Sequence, residues 1–94
     1  MAKAIWNGKI IAESDQVVKI FNSFFFPINS VNKNYLKASK KKTTTFWEGI
    51  ISHYSIIIDN KENPDAAIIF DYSGEMIRFV KDKIAFSKNV KIIL

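Results

Sequence analysis

The dipeptide Asn7-Gly8 constrains this chain more tightly than any other short feature of it. Both residues tolerate positive φ, which a two-residue type I′ turn demands, and they separate two strand-forming segments, Ala4-Ile5-Trp6 and Lys9 to Glu13. An antiparallel hairpin at the start of the chain is the expected result.

Strand signals continue from there. Ser14-Asp15 turns the chain into Val17 to Phe21, which is β-branched and aromatic, and Asn22-Ser23 interrupts it before Phe24-Phe25-Phe26 runs on to Pro27. Ser30 fits the N-cap of a short helix that places Val31, Tyr35 and Leu36 on one face. Lys37 to Lys42 reads as a solvated connector, and the threonines after it favour extended structure. Ile50 to Ile58 is the longest strand candidate; neither of its faces is polar throughout, so a central strand is predicted. Asp59 to Asp65 reads as a polar turn containing Pro64, and Ala66 to Phe70 returns as a strand. Ser73-Gly74 opens a second helix, with Met76, Ile77 and Val80 on one face, Glu75 near its start, and Lys81 and Lys83 near its end. Ala85-Phe86 and Val90 to Leu94 complete the sheet. The expected fold is mainly β, a single domain over residues 1–94: a small twisted sheet or partial barrel with two short helices covering its ends.

Composition narrows the chemistry. Without cysteine there is no disulfide, no thiolate nucleophile and no thiolate zinc site. With one histidine, zinc would need carboxylates or a second chain, so neither a metal nor a cofactor is expected. The first residues lack a signal-peptide core, and apolar runs such as Ile56 to Ile58 fall far short of the roughly 18 residues a membrane helix needs. The expectation is a cytoplasmic protein with no membrane partner. A net charge of +5 invites a nucleic-acid reading, yet 13 of the 14 basic residues are Lys and Arg78 stands alone. The residue best suited to bidentate phosphate or guanine contacts is therefore nearly missing, and nucleic acid is not the expected partner.

Most of the available chemistry lies between Thr43 and Tyr54. His53 and Ser55, two apart on one strand face, have the composition of a base and nucleophile pair that Glu48 or Asp59 would orient. Packing and one hydrogen bond satisfy such a histidine equally well. Trp6, Phe26, Trp47 and Tyr54 have the size to line an apolar groove, with polar contacts from Thr45, Glu48 and His53. Lys40-Lys41-Lys42 followed by Phe46 and Trp47 has the order of a single-strand nucleic-acid surface, and equally that of a solubilising loop beside core aromatics. Gly8, Gly49 and Gly74 are isolated, so no phosphate-cradling loop is present. The reading is a domain that binds a small molecule or nucleotide-sized ligand in the aromatic groove. The alternatives are a hydrolase or transferase using His53 and Glu48, and an interaction module using the lysine run. Edge-strand pairing into a homodimer is compatible with any of them.

Several pieces occur in a specific order: Ala4 to Ser14, Phe25-Phe26-Pro27 with Val31 four residues on, Trp47 and Gly49, His53-Tyr54-Ser55, Asp59 to Asn63, and Asp65-Ala66-Ala67. Together, across nearly the whole chain, they resemble the small bacterial and fungal proteins grouped as domain of unknown function 427. The resemblance implies a β-rich single domain of the β-tent kind and no established activity, although a nucleotidyltransferase-like label has been attached to the family. Where the family typically reads Cys-Pro-Trp-Lys-Gly, this chain reads Thr45-Phe46-Trp47-Glu48-Gly49, which loses a thiol and a proline and reverses a charge, so that Glu48 could not take the place of a lysine that binds phosphate. Its Ala-Ala-Trp pattern followed by Tyr-Pro is here Ala66-Ala67-Ile68-Ile69-Phe70-Asp71, and His53 stands where relatives often have an aromatic such as Tyr. A chemistry common to the family would be altered or lost in this member.

Overall fold

Asn7 and Gly8 adopt φ of +51° and +74°, and the hairpin forms around them as their sequence requires. In chain order, the computed structural model contains β1 (Ala2–Trp6), β2 (Lys9–Ser14), β3 (Val18–Ile20), β4 (Ser23–Pro27), β5 (Leu36–Thr45), β6 (Gly49–Ile58), β7 (Lys61–Tyr72), β8 (Lys83–Phe86) and β9 (Lys91–Ile93). It describes residues 1–20, 22–45, 49–72, 80–86 and 89–94. A three-stranded sheet has the order β2-β1-β9, and a six-stranded sheet has the order β3-β4-β8-β7-β6-β5. Every paired strand is antiparallel.

Asparagine and aspartate do in this chain what glycine does elsewhere. All seven described non-glycine residues with positive φ are Asn or Asp: Asn7, Asn22, Asp59, Asn60, Asp65, Asp82 and Asn89. Their short polar side chains tolerate the left-handed region that β-branched residues avoid. Asp59 and Asn60, at +52° and +65°, form a second two-residue hairpin turn, between Ile58 and Lys61. The polar turn expected over Asp59 to Asp65 is thus only two residues long. β7 starts at Lys61 and carries Pro64 within a local irregularity, where the missing N–H does no damage to a ladder.

The first expected helix does not form. Two single 3-10 turns, Ile28–Ser30 and Lys33–Tyr35, stand in its place, and Leu36 already begins β5. Ser30 is not an N-cap; its hydroxyl donates to the Pro27 carbonyl at 2.6 Å, while the Asn32 side chain caps the second turn by accepting from the Asn34 N–H. Val31 bridges Ala12, and the Asn32 N–H donates to the Ile11 carbonyl at 2.8 Å, so pairing with β2 competes successfully with helix formation. Residues 73–79, where the second helix was expected to begin, lie outside the described residues; Lys83, expected at its end, is the first residue of β8. Lys37 to Lys42 also differ from expectation, since they belong to β5 and are not a connector.

The main core lies between the two sheets. Ala2, Ala4, Ile11 and Ala12 from the smaller sheet meet Phe26, Ile56, Ile58, Ala67 and Ile84 from the larger. Alanine opposite large side chains lets the sheets approach while the volume stays filled. Strand alternation sends Phe25, Ala85, Ile68 and Phe70 to the opposite face of the large sheet, where Val80 and Ile20 complete a second cluster. Hence β4, β8 and β7 are covered on both faces, consistent with their continuous apolar sequences.

Candidate functional site

β6 is interior, as its two mixed faces predict, and its neighbours on either side bulge away from it. On β5, Ala38 pairs with Tyr54 and Lys42 with Ser52, so Ser39, Lys40 and Lys41 together stand opposite His53. On β7, Asn63 pairs with Ile56 and Ala67 with Tyr54, so Pro64, Asp65 and Ala66 stand opposite Ser55. Bulges re-aim side chains and end regular pairing, and they concentrate beside binding and catalytic sites. Here they fall opposite two positions on the same strand.

Ser55 is tied to the β7 bulge. Only 5% exposed, it accepts the Asp65 N–H at 3.2 Å and thereby supports the left-handed turn at Asp65. His53 engages a different hydroxyl: its Nε2 lies 2.8 Å from Thr43 Oγ1, and both residues are half-buried. The β5 bulge sits between Lys42 and Ala38 and is closed locally by the Lys41 N–H, which donates to Ser39 Oγ at 3.1 Å. Thr43, Ser39 and His53 therefore group hydroxyl and imidazole functions within one short stretch of the sheet. Lys40 and Lys41 are exposed beside them.

The aromatic candidates divide between faces. Tyr54 pairs with Ala67, a main-core residue, whereas His53 pairs with Ile68, which packs in the second cluster. Tyr54 and His53 accordingly point to opposite sides of β6. Trp6 and Tyr54 are half-buried against the main core. Phe26 has no exposed surface and meets Phe86 edge-on at 5.7 Å between ring centroids. Thr45 pairs with Gly49 through the backbone at the far end of the β5–β6 ribbon; Trp47 and Glu48 lie outside the described residues.

Electrostatics single out the same ribbon. Residues 16–45 contain six lysines and no carboxylate, so the remaining residues together carry −1 of the net +5. Four of the six, Lys37, Lys40, Lys41 and Lys42, are exposed on β5, one of the two edge strands of the large sheet. Edge lysines and a bulge are devices that stop one sheet edge from pairing with another. They also leave a cationic margin beside His53.

Two surface depressions lie elsewhere. One, of about 340 Å³, is lined by Ser14, Asp15, Val17, Lys19 and Phe24, with the Lys19 Nζ 5.6 Å from the Phe24 ring centroid. The other, of about 290 Å³, is lined by Gln16, Ile28, Asn29, Lys81 and Lys83. Neither contains Trp6, Phe26, His53 or Tyr54. Among the described residues no three His, Asp or Glu side chains gather as metal ligands, and no helix is long and apolar enough to cross a membrane.

The Thr43–His53 bond escaped the sequence because it spans ten residues and depends on a bulged register. Only the proximity of a threonine run to a lone histidine, in two segments able to form one hairpin, hinted at it. A family model described as Domain of unknown function (DUF427) matches residues 1–94, the whole chain. No curated protein matches the chain.

Proposed function

This chain belongs to the family of domain of unknown function 427, and we propose that it acts as a binding domain whose small-molecule ligand docks on the β5–β6 ribbon at His53. The half-buried Thr43–His53 hydrogen bond opposite the β5 bulge carries this reading. A polar pair that is neither sealed in the core nor fully solvated can exchange water for a ligand at small desolvation cost. The aromatic groove expected from Trp6, Phe26, Trp47 and Tyr54 receives less support, since Phe26 is fully buried and Tyr54 faces away from His53.

A screen of small-molecule mixtures by NMR tests the proposal. The chain has one histidine, so one imidazole Cε1–H signal reports the site without assignment ambiguity. Bound compounds are expected to move that signal together with the Thr43 amide. Compounds that bind while leaving both unmoved would refute the location.

The 2.8 Å contact also favours a second reading, in which His53 takes the Thr43 proton as Oγ1 bonds to an ester carbonyl, returns it to the departing alcohol, and water then cleaves the acyl-threonine. Hydrolysis of activated esters that Thr43→Val abolishes and the unaltered chain sustains would support it; equal rates in both chains would exclude it.

A further inference from the structure

On the reading that the ligand sits at His53, we infer that it carries a phosphate or sulfate ester, received by the bulge of β5. Three observations converge on this class. First, Ser39 to Lys41 project opposite His53 as three residues against one, and the Lys41 N–H to Ser39 Oγ bond gives that excursion a defined shape. Because Ser39 Oγ serves there as an acceptor, its own hydrogen is left to donate. Second, when the His53 Nε2–H donates to Thr43 Oγ1, the threonine hydrogen is turned outward as a further donor. Third, Lys40 and Lys41 are exposed at the same bulge, in a stretch of 30 residues, 16–45, whose own sequence contains no carboxylate.

The donor types choose between anions. Planar carboxylates are matched best by the bidentate fork of arginine, whereas ammonium groups act as point charges and suit an oxyanion contacted from several directions. The described part of this ribbon contains lysines, hydroxyls and an imidazole and no arginine. Edge protection accounts for the lysines and the bulge but not for a half-buried hydroxyl–imidazole pair facing them.

The test uses the full chain and four probes: phenyl phosphate, inorganic phosphate, benzoate and benzyl alcohol. Phenyl phosphate is expected to move the His53 ring signals and the amides of residues 39–43, to shift the imidazole toward its Nε2–H tautomer in nitrogen spectra, and to bind more weakly as salt rises. The Lys40→Gln, Lys41→Gln double variant, held at a concentration where sedimentation shows it monomeric so that its remaining amide spectrum superposes on that of the unaltered chain, is expected to lose about tenfold in affinity, the effect of one charge-assisted hydrogen bond. Benzoate or benzyl alcohol moving His53 while phenyl phosphate does not would overturn the ligand class and leave the binding site standing. Failure of every probe to move His53 would overturn both. A single-stranded oligonucleotide binding the bulge with affinity that climbs with its length would overturn the small-ligand assignment in favour of a polyanion.

Discussion

Replacing Phe26 separates its structural role from a ligand-binding one. The side chain is fully buried between the two sheets and touches Phe86 edge-on. Truncation to alanine at such a site costs about 3–5 kcal/mol, from lost transfer energy and the cavity left behind. Set against a stability of about 5–14 kcal/mol for a domain of this size, that removes a large fraction of the total. Phe26→Leu is the more informative change, because it keeps most of the volume while losing the aromatic pair, about 0.5–1.5 kcal/mol, and creating a small void. A net loss of about 1–2 kcal/mol should lower the melting temperature by roughly 4–16 °C. Urea unfolding followed by tryptophan fluorescence would read it as a lower midpoint at unchanged slope. Stability unchanged within about 0.5 kcal/mol would show that Phe26 does not fill the inter-sheet core, and the described packing would be wrong.

Other expectations follow from particular contacts. A double-mutant cycle with Thr43→Val and His53→Gln should give a coupling of about 0.5–1 kcal/mol in thermal unfolding, the low end for a hydrogen bond because both groups are only half-buried; zero coupling would remove the bond from the account. Asn60→Ala should destabilise by about 1–2 kcal/mol through its φ of +65°, while Asn60→Gly stays within a few tenths, measured by the same unfolding scans. Replacing Lys40 and Lys41 with Thr should raise self-association in sedimentation experiments, because charges that blunt the β5 edge are removed.

Much of the fold was legible where local chemistry decides the geometry. Asn7-Gly8 fixes its hairpin through two positive φ values, and the mixed faces of Ile50 to Ile58 mark an interior strand. Segments whose conformation depends on distant partners were less legible. Ser30 and Val31 have the local signals of a helix, but Val31 and Asn32 pair with β2 some twenty residues earlier, which outweighs a marginal helix nucleus. The lysines of β5 look like a solvated linker because an edge strand needs no apolar outer side, and pairing with β6 supplies the order that composition hides. In the candidate site, His53 is identifiable by its rarity alone. Its partner is Thr43 and not Ser55 because three-residue bulges on β5 and β7 set the register, and bulges of that kind leave little trace in a single sequence.

A crystal structure of the chain soaked with a library of small fragments would show whether ligands dock on the β5–β6 ribbon. Occupied fragments are expected within hydrogen-bond reach of Thr43 Oγ1 or the His53 imidazole, beside the Ser39 to Lys41 bulge. Fragments that gather only in the depressions lined by Val17 and Phe24 or by Gln16 and Lys83, with the β5–β6 ribbon bare, would contradict it.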